Sequence, residues 1–394
     1  MKKQTQAIHL EYERRDAYDS LSVPVYNTLA YEFDNAAVMA EAFTDKIKAP
    51  DYSRVENPTV TNLERRVAAL TDAAHATAFN SGMAAISNTL MALAAQGKNI
   101  VTSKHLFGNT YALLVATLHR FGVKVRLRDL TNIEAVREAI DDDTCCVFLE
   151  ILTNPQLEVA DLKAISEVAH EKNVPLVVDS TVIPFTQFSA KSLGVDIEVV
   201  SSSKYVSGGA TSLGGLVIDY GTPYNGDFAK RLYGEMLFNF GAYMTPQVAY
   251  MQTIGLETLD ARYRVQSSNA LELAKKLRSL PQIKYVNYVG LEDNPYHELA
   301  QRQFGKTAGA MICIDLESKE ACFSFLNNLK LIHRATNLFD NRSLAIHPAS
   351  TIFGAFSENM RKSMDVKDTT IRLSIGLEDV DDLFEDIKQA VDSL

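Results

Sequence analysis

Between residues 98 and 219, hydrophobic residues occur in short runs separated by segments with helical periodicity. The runs are typical of short buried strands and read KNIVTS, VKVRLRD, CCVFLE, VPLVVDS, IEVVSS and GGLVID. Helical patterns lie between several of them, at 109–120, 131–140, 160–172 and 187–193. Strands that alternate with helices predict a mainly parallel sheet covered on both faces.

The first part of the chain has a weaker pattern. Residues 1–56 predict an extended arm with a short helix near 35–44, and a long arm of this kind usually has a function or packs on a partner. A helix is predicted over 60–71, capped by Thr59 or Thr61, and an apolar helix follows the turn Asn80-Ser81-Gly82.

The last part changes pattern again. A long helix is predicted over 247–277, followed by the strands KYVNYVG, AGAMICIDL and IRLSIGLE and by helices near 319–328 and 379–393. We therefore predict an α/β protein in three parts: an N-terminal arm (1–56), a large domain with a mainly parallel sheet (57–246) and a smaller α+β domain (247–394).

Composition narrows the function classes. The 394 residues carry a net charge of −10, which disfavours a nucleic-acid partner. The N-terminus has no apolar secretory segment and no apolar run approaches the length of a membrane span, so we expect a cytoplasmic protein without a membrane partner. Neither the four cysteines nor the eight histidines are spaced as metal ligands, so no metal is expected.

Lys204 stands in the stretch IEVVSSSKYVSGGATSLGG, at the end of an apolar run. A lysine in such a place can form a Schiff base with a carbonyl cofactor. The alternative is a solvated loop lysine.

Asp179 ends the apolar strand VPLVVD. An acid there is costly to bury unless it is paired, and a protonated pyridine nitrogen is one suitable partner. The alternative is a helix N-cap. Since ligands of parallel sheets bind beyond the carboxyl ends of the strands, Asp179 and Lys204 are expected at one edge.

A phosphate site is suggested by the start of the apolar helix. Ser81-Gly82-Met83 offers backbone N–H groups and a hydroxyl, and Ser201 and Ser203 offer two further hydroxyls. Tyr52 and Arg54 in the arm could add a charge-assisted contact. The alternatives are an ordinary capped helix and a surface pair.

Three further residues are candidates for ring and substrate contacts. Phe107 could stack on a cofactor ring or pack in the core. Arg372, a charge inside an apolar strand, needs a partner: either a substrate carboxylate or an internal salt bridge. The amide of Asn154 could hydrogen-bond a cofactor or substrate oxygen. No glycine motif of a nucleotide site is present.

In order along the chain, these motifs resemble those of the cysteine and methionine metabolism (trans-sulfuration) family of enzymes that depend on pyridoxal 5′-phosphate. The resemblance covers nearly the whole sequence. Within the family, the sequence is most similar to the O-acetylhomoserine sulfhydrylase branch. The matching strings are TQAIH, PVYNTLAYEF, YSRVENPT, FNSGMAAI, FGNTY, EILTNP, VVDST, SSSKYVSGGATSLGG, ETLDAR, HPAST and IRLSIGLED.

The resemblance implies the aspartate-aminotransferase-like fold, fold type I, and a role for each matching position. Lys204 is expected to hold the cofactor and shuttle protons, and Asp179 to pair with the ring nitrogen. Arg372 is implied to bind the substrate carboxylate. The remaining implied contacts are Gly82, Met83, Ser201 and Ser203 at the phosphate, Asn154 beside the ring oxygen, and Tyr52 and Arg54 at the phosphate of a neighbouring subunit. The last pair implies an obligate dimer, and the resemblance implies that two such dimers pair into a homotetramer.

The sequence departs from the family pattern at three positions. Phe107 replaces the usual tyrosine, which keeps the stacking but loses a hydroxyl for proton transfer or leaving-group departure. Asn337 stands where the lyases carry serine and resembles the O-acetylhomoserine sulfhydrylase branch. Ser180, in VDST, replaces the commoner asparagine.

Three hypotheses follow. The first is γ-replacement on an O-acylated homoserine by sulfide or a thiol. The second is γ-elimination from methionine or cystathionine, with cystathionine γ-synthase as a related possibility. The third is a non-catalytic relative that uses the fold for binding or regulation.

Overall fold

The protein is described here by a computed structural model, which describes residues 1–10, 16–44 and 46–394. Residues 11–15 and 45 of the predicted arm lie outside the described residues. The strands are β1 (His75–Phe79), β2 (Asn99–Thr102), β3 (Lys124–Leu127), β4 (Thr144–Glu150), β5 (Leu176–Asp179), β6 (Ile197–Val200), β7 (Gly215–Asp219), β8 (Tyr285–Asn287), β9 (Met311–Asp315), β10 (His333–Arg334), β11 (Leu344–Ile346) and β12 (Thr370–Ser374).

Helices pack against both sheets, and two short ones continue as 3-10 or π-helical turns. The α-helices are α1 (Lys3–His9), α2 (Ala36–Ala42), α3 (Pro58–Thr71), α4 (Gly82–Leu93), α5 (Gly108–Ala112), α6 (Ile133–Ala139), α7 (Leu162–His170), α8 (Phe228–Arg231), α9 (Phe238–Phe240), α10 (Pro246–Glu257), α11 (Leu259–Leu277), α12 (His297–Phe304), α13 (Lys319–Asn328), α14 (Glu358–Ser363) and α15 (Val380–Val391).

The larger sheet has seven strands in the order β1-β7-β6-β5-β4-β2-β3. Only β7 runs against its neighbours, so the other six strands point the same way. The residues that follow β1, β2, β4, β5 and β6 therefore meet at one edge of the sheet. This confirms the predicted α/β class with a mainly parallel sheet.

Each central strand is buried on both faces, which explains the unbroken apolar runs. In β5, Leu176 and Val178 belong to one hydrophobic core, and Val177 belongs to the core on the opposite face. This alternation follows from the two-residue period of a strand.

The smaller sheet has the order β10-β11-β12-β9-β8 and is antiparallel except for the β10–β11 pair. Helices α11, α13 and α15 pack against it or against one another. All of its strands lie within the predicted C-terminal part, 247–394, while the exact boundaries of the three parts stay a prediction.

Several local predictions were wrong. The cap of α3 is Asn57, whose side chain accepts the N–H of Thr59; Pro58 occupies the first turn, where its missing N–H costs nothing. The hydroxyl of Thr59 instead donates to the carbonyl of Pro24 and so fastens the arm.

Other elements were missed or drawn too long. The predicted helix over 247–277 is divided at Thr258 into α10 and α11, and the predicted helix over 187–193 is only a 3-10 turn, Lys191–Leu193. Strands β1, β10 and β11 were not predicted, because β1 contains two alanines and β10 and β11 are too short to show a period. In the described parts of the chain, every helix is too short or too polar to cross a bilayer.

Candidate active site

A cavity of about 870 Å³ opens at the carboxyl edge of the larger sheet, facing β12 and the loop 335–338. It brings together every predicted site residue except Tyr52 and Arg54. The predicted site residues that line the cavity are Ser81, Gly82, Met83, Phe107, Asn154, Asp179, Ser201, Ser203, Lys204, Asn337 and Arg372.

Lys204 is partly buried in the cavity wall. Its Nζ donates to Oδ1 of Asn337 at 2.8 Å. Burial, and then the charge of Arg372, lowers the pKa of Lys204 to about 8. This lysine is therefore not a solvated loop residue: about a tenth of it is an uncharged amine at pH 7, far more than for an ordinary lysine, and this is the reactive form of a nucleophile or base.

Asp179 ends β5, and its Oδ1 accepts the N–H of Thr181 at 2.9 Å. No helix begins at this point, so the interpretation of Asp179 as a helix N-cap is wrong. Burial raises the pKa of Asp179, although hydrogen bonds from Thr181 oppose the rise. A cation beside this carboxyl would favour its ionised form.

Arg372 lies on β12 and is 2% exposed. Its guanidinium donates to Oδ1 of Asn154 and to the carbonyls of Thr336 and Asn337 at 3.3–3.4 Å, and its Nε has no partner among the described residues. Burial lowers its pKa to about 10. All of these contacts are to neutral groups, so the predicted alternative of an internal salt bridge is wrong within the described chain.

These three groups together test whether a cofactor and a substrate fit the cavity. A buried amine, carboxyl and guanidinium converge on it, and none of them has an oppositely charged protein partner among the described residues. Burial of unpaired charges is unfavourable. A carbonyl for Lys204, a pyridinium for Asp179 and a carboxylate for Arg372 would satisfy all three, so the residues fit pyridoxal phosphate with an amino acid.

The start of α4 supplies the anion site. Gly82 and Met83 occupy its first turn, where backbone N–H groups have no intrahelical acceptor, and Ser81 caps the helix by accepting the N–H of Ala84. A methyl group at Gly82 would lie 2.6 Å from Cβ of Ser201. Only glycine therefore lets the helix terminus approach Ser201 closely enough to form one pocket.

The remaining residues predicted to contact the phosphate already make other contacts within this chain. The hydroxyl of Ser203 donates to the carbonyl of Gly214 at 3.1 Å, so its proton is already used. Arg54 donates to the carbonyl of Phe238 and lies over the ring of Tyr52, which is 40% exposed. Neither arm residue lines the cavity of its own chain, so their predicted contact with a neighbouring subunit stays a prediction.

Sequence reasoning missed Glu150, the last residue of β4, which lines the cavity. The signal was present, because CCVFLE ends in an acid just as VPLVVD does. Ser180 lies outside the cavity; its hydroxyl donates to buried Glu198, which also accepts the phenol of Tyr220. The serine of VDST thus belongs to a buried hydrogen-bond network on β5 and β6.

The loop that carries Phe107 is joined to the C-terminal part by His105. Its two ring nitrogens contact Glu158 at 2.5 Å and Asp365 at 2.8 Å, and Lys104 also pairs with Asp365. Burial alone would lower the pKa of His105, but the hydrogen bonds and charge of Glu158 and the bond to Asp365 outweigh it and raise the pKa. Asp129 also lies within electrostatic range of the ring.

We expect His105→Gln to destabilise the protein mainly at low pH. Because the folded-state pKa is raised, the contribution of His105 is complete below its unfolded pKa of roughly 6.5 and is lost as pH rises through the folded value. The wild-type advantage should be about 1 kcal/mol at pH 6, since Asp365 is exposed and screened, and should shrink by pH 9.

Denaturant unfolding at several pH values measures this difference. Burial lowers the pKa of His347, so His347→Gln is a control that should show the opposite trend, with the wild-type advantage shrinking as pH falls. If the loss of stability caused by His105→Gln grew with pH, this would contradict a charged His105 paired with Glu158 and Asp365.

Comparison with known proteins gives a consistent result. Residues 4–392 match the family described as Cys/Met metabolism PLP-dependent enzyme. An L-methionine gamma-lyase of Fusobacterium nucleatum subsp. polymorphum is 37% identical, over 99% of this chain and 98% of its own. An O-acetyl-L-homoserine sulfhydrylase of Corynebacterium glutamicum is 31% identical, over 98% and 95%.

A solved structure agrees with these relatives. The Campylobacter jejuni protein assigned as an O-acetylhomoserine (thiol)-lyase superimposes with a TM-score of 0.95 at 35% identity, over the whole of both chains, and carries N′-pyridoxyl-lysine-5′-monophosphate. Fold type I and the cofactor pyridoxal 5′-phosphate are thereby confirmed, and the hypothesis of a non-catalytic relative is set aside. The chain belongs to the family of Cys/Met metabolism PLP-dependent enzymes.

Proposed function

We propose that this enzyme catalyses γ-replacement on an O-acylated homoserine, with sulfide or a thiol as the nucleophile. The bond between Cγ and the ester oxygen breaks, a carboxylate such as acetate leaves, and a Cγ–S bond forms. With hydrosulfide the product is homocysteine, and with methanethiol it is methionine.

The observation that carries this proposal is the composition of the cavity wall. Phe107 stands where the family usually has tyrosine, and the described residues that line the cavity include no tyrosine, histidine or cysteine. The carboxyls of Glu150 and Asp179 stand side by side at the ends of β4 and β5, where the ring is expected. The wall that the described residues of this chain contribute therefore lacks a phenol that could protonate a leaving group, and Tyr52 of a neighbouring subunit is expected at the phosphate instead.

A carboxylate needs that proton far less than a thiolate does. Carboxylic acids have pKa values of about 4.3 and alkyl thiols of about 8.5. The carboxylate is therefore the weaker base and leaves faster without protonation. A site without the phenol thus favours an acyl ester over a thioether such as methionine.

The chain's own residues account for the other steps. When bound, pyridoxal phosphate supplies an electron sink for the charge that develops at the substrate Cα. Arg372, whose Nε has no partner among the described residues, is placed to bind the substrate carboxylate. Lys204, with its pKa lowered to about 8, can take the Cα proton and return it further along the side chain, and the Asn337 amide orients its amine.

A second candidate is γ-elimination. The cystathionine γ-synthase reaction, in which the incoming thiol is that of cysteine, is a variant of the γ-replacement proposed above. The observation in favour of elimination is the 37% identity with an L-methionine gamma-lyase, against 31% with an O-acetyl-L-homoserine sulfhydrylase. The two chemistries share every step up to departure of the γ-substituent, so overall identity separates them poorly.

We expect purified holoenzyme to form homocysteine from O-acetylhomoserine only when sulfide is present. Thiol analysis measures homocysteine, and a coupled dehydrogenase assay measures 2-oxobutanoate. Production of 2-oxobutanoate from methionine at a comparable rate would refute replacement as the main activity.

Phe107→Tyr serves as the matched variant in this assay. Restoring the phenol should raise elimination from methionine by about a hundredfold, the lower end of the range for general acid catalysis, and should change turnover of O-acetylhomoserine much less. Equal effects on both substrates would show that the phenyl ring does not set the preference.

For the assembly we propose a homotetramer in which the arm's Tyr52 and Arg54 complete the phosphate site of a neighbouring subunit. In support, both lie outside the cavity of their own chain, and the arm exposes Tyr18, Leu21 and Leu29. Large exposed apolar side chains in one segment are typical of an interface. Sedimentation velocity that shows only monomers would refute it.

The proposed location is the cytoplasm. All four cysteines carry free thiols, three of them buried, as is common in a reducing compartment. Cell fractionation with an antibody to the protein would test this.

A further inference from the structure

Glu150 is a buried acid in the wall of the active-site cavity for which the reaction above has no use. It ends β4, is 7% exposed, and lies directly opposite Asp179 in the register of β4 and β5. Two carboxyls are thus adjacent at the point where the cofactor ring is expected. A buried acid without a cation needs another source of stabilisation.

Its contacts supply that stabilisation. Oε1 of Glu150 accepts the backbone N–H of Phe107 at 2.5 Å, and the backbone N–H of Asn154 also hydrogen-bonds to the carboxyl. Phe107 belongs to the loop after β2, and Asn154 to the loop after β4. One side chain therefore fastens the two loops that carry the ring-stacking residue and the amide that contacts Arg372.

The charge of Glu150 follows from its surroundings. Burial and the neighbouring Asp179 raise the pKa of Glu150 well above its usual range, and the N–H groups of Phe107 and Asn154 oppose this only in part. Two negative charges on directly adjacent strand positions cannot both be held in a buried site. A single ring cation compensates one carboxylate, so the second carboxyl stays protonated.

We propose that Glu150 is a positioning residue that acts as a neutral acid, fixing the backbones of Phe107 and Asn154 around the ring while Asp179 alone pairs with the ring nitrogen. This role goes beyond the proposed reaction, because replacement and elimination both require a fixed ring. If the positioning role of Glu150 is refuted, the proposed substrate is unaffected. If the proposed substrate is refuted, the positioning role is likewise unaffected.

The test compares Glu150→Gln with Glu150→Met in the holoenzyme. Glutamine is neutral and keeps an oxygen acceptor, whereas methionine keeps the volume and removes both hydrogen bonds. The readouts are the visible circular dichroism of the bound cofactor, which reports ring orientation, and the cofactor dissociation constant. For Glu150→Met we expect reduced dichroism and a dissociation constant raised about tenfold, as for loss of two ordinary hydrogen bonds. Glu150→Gln should resemble wild type in both.

Asp386 provides the matched control for buried carboxyls that accept backbone N–H groups. It is 6% exposed and accepts from the N–H groups of Lys330, Leu331 and Ile332, away from the cavity. Asp386→Leu should lower thermal stability without altering the dichroism. Equal dichroism changes in Asp386→Leu and Glu150→Met would reduce Glu150 to a general stabiliser and overturn the proposal.

The pH dependence of the visible absorption band tests the neutral state, and it needs only the conservative variant. Replacing a neutral acid by an amide should leave the midpoint of this titration unchanged. A shift of more than about one pH unit in Glu150→Gln would show that Glu150 is charged beside the ring and would overturn the proposal, even if Glu150→Met does not fold.

Discussion

Lys204→Ala is expected to lower kcat by about ten-thousandfold or more, the upper range for loss of a general base, because the same amine is also proposed to hold the cofactor. The structure gives the reason: its Nζ faces the cavity, its pKa is lowered to about 8, and its described hydrogen bond is to the neutral amide of Asn337. Among the described residues that line the cavity, no histidine is present to replace it as a base.

Two measurements check this. Borohydride reduction followed by mass spectrometry should attach the cofactor to the peptide that contains Lys204 in wild type and not in the variant. Small external amines should restore part of the activity. Lys191→Ala is the control, since Lys191 forms an exposed pair with Asp72 and should have little effect. Retention of more than about 1% of wild-type kcat would contradict the assignment.

Asp179→Asn is expected to lower kcat by about a hundred- to a thousandfold, the range for removal of one preorganised electrostatic group. The change keeps the shape of the side chain and an oxygen that can accept the N–H of Thr181. It removes the negative charge that would keep the ring nitrogen protonated, so the ring becomes a weaker electron sink. The affinity for the cofactor should fall as well, and equilibrium dialysis measures it.

Asp219→Asn is a closely matched control. Asp219 ends β7, is buried, and accepts the N–H of the second following residue, Gly221, at 2.8 Å, as Asp179 does with Thr181. It does not line the cavity. Similar losses of kcat in the two variants would show that the turn geometry matters rather than the charge beside the ring. Asp179→Glu should keep more activity than Asp179→Asn.

The sequence predicted the large sheet because its central strands are buried on both faces and therefore appear as short apolar runs. It also predicted the positions of Asp179 and Lys204, since residues after parallel strands share one edge of a sheet. Glu150 obeys the same rule but was not predicted, because in the motif EILTNP the asparagine and proline that follow it are the more distinctive residues. The cap of α3 was assigned to Thr59 or Thr61 although Asn57, just before Pro58, has the better local signal.

The sequence alone therefore determined the fold class, the family and the residues expected to hold the cofactor, because local periodicity and an ordered set of motifs encode them. The tertiary structure decided which polar groups are paired. Arg372 could have formed a salt bridge, Ser203 could have been free for phosphate, and Asp179 could have capped a helix; only the relative placement of distant segments shows that Arg372 has neutral partners, that Ser203 bonds Gly214 and that Asp179 faces the cavity. The physical reason is that burial and pairing depend on residues far apart in sequence, such as Lys204 and Asn337 or Phe107 and Glu150, which no local pattern brings together.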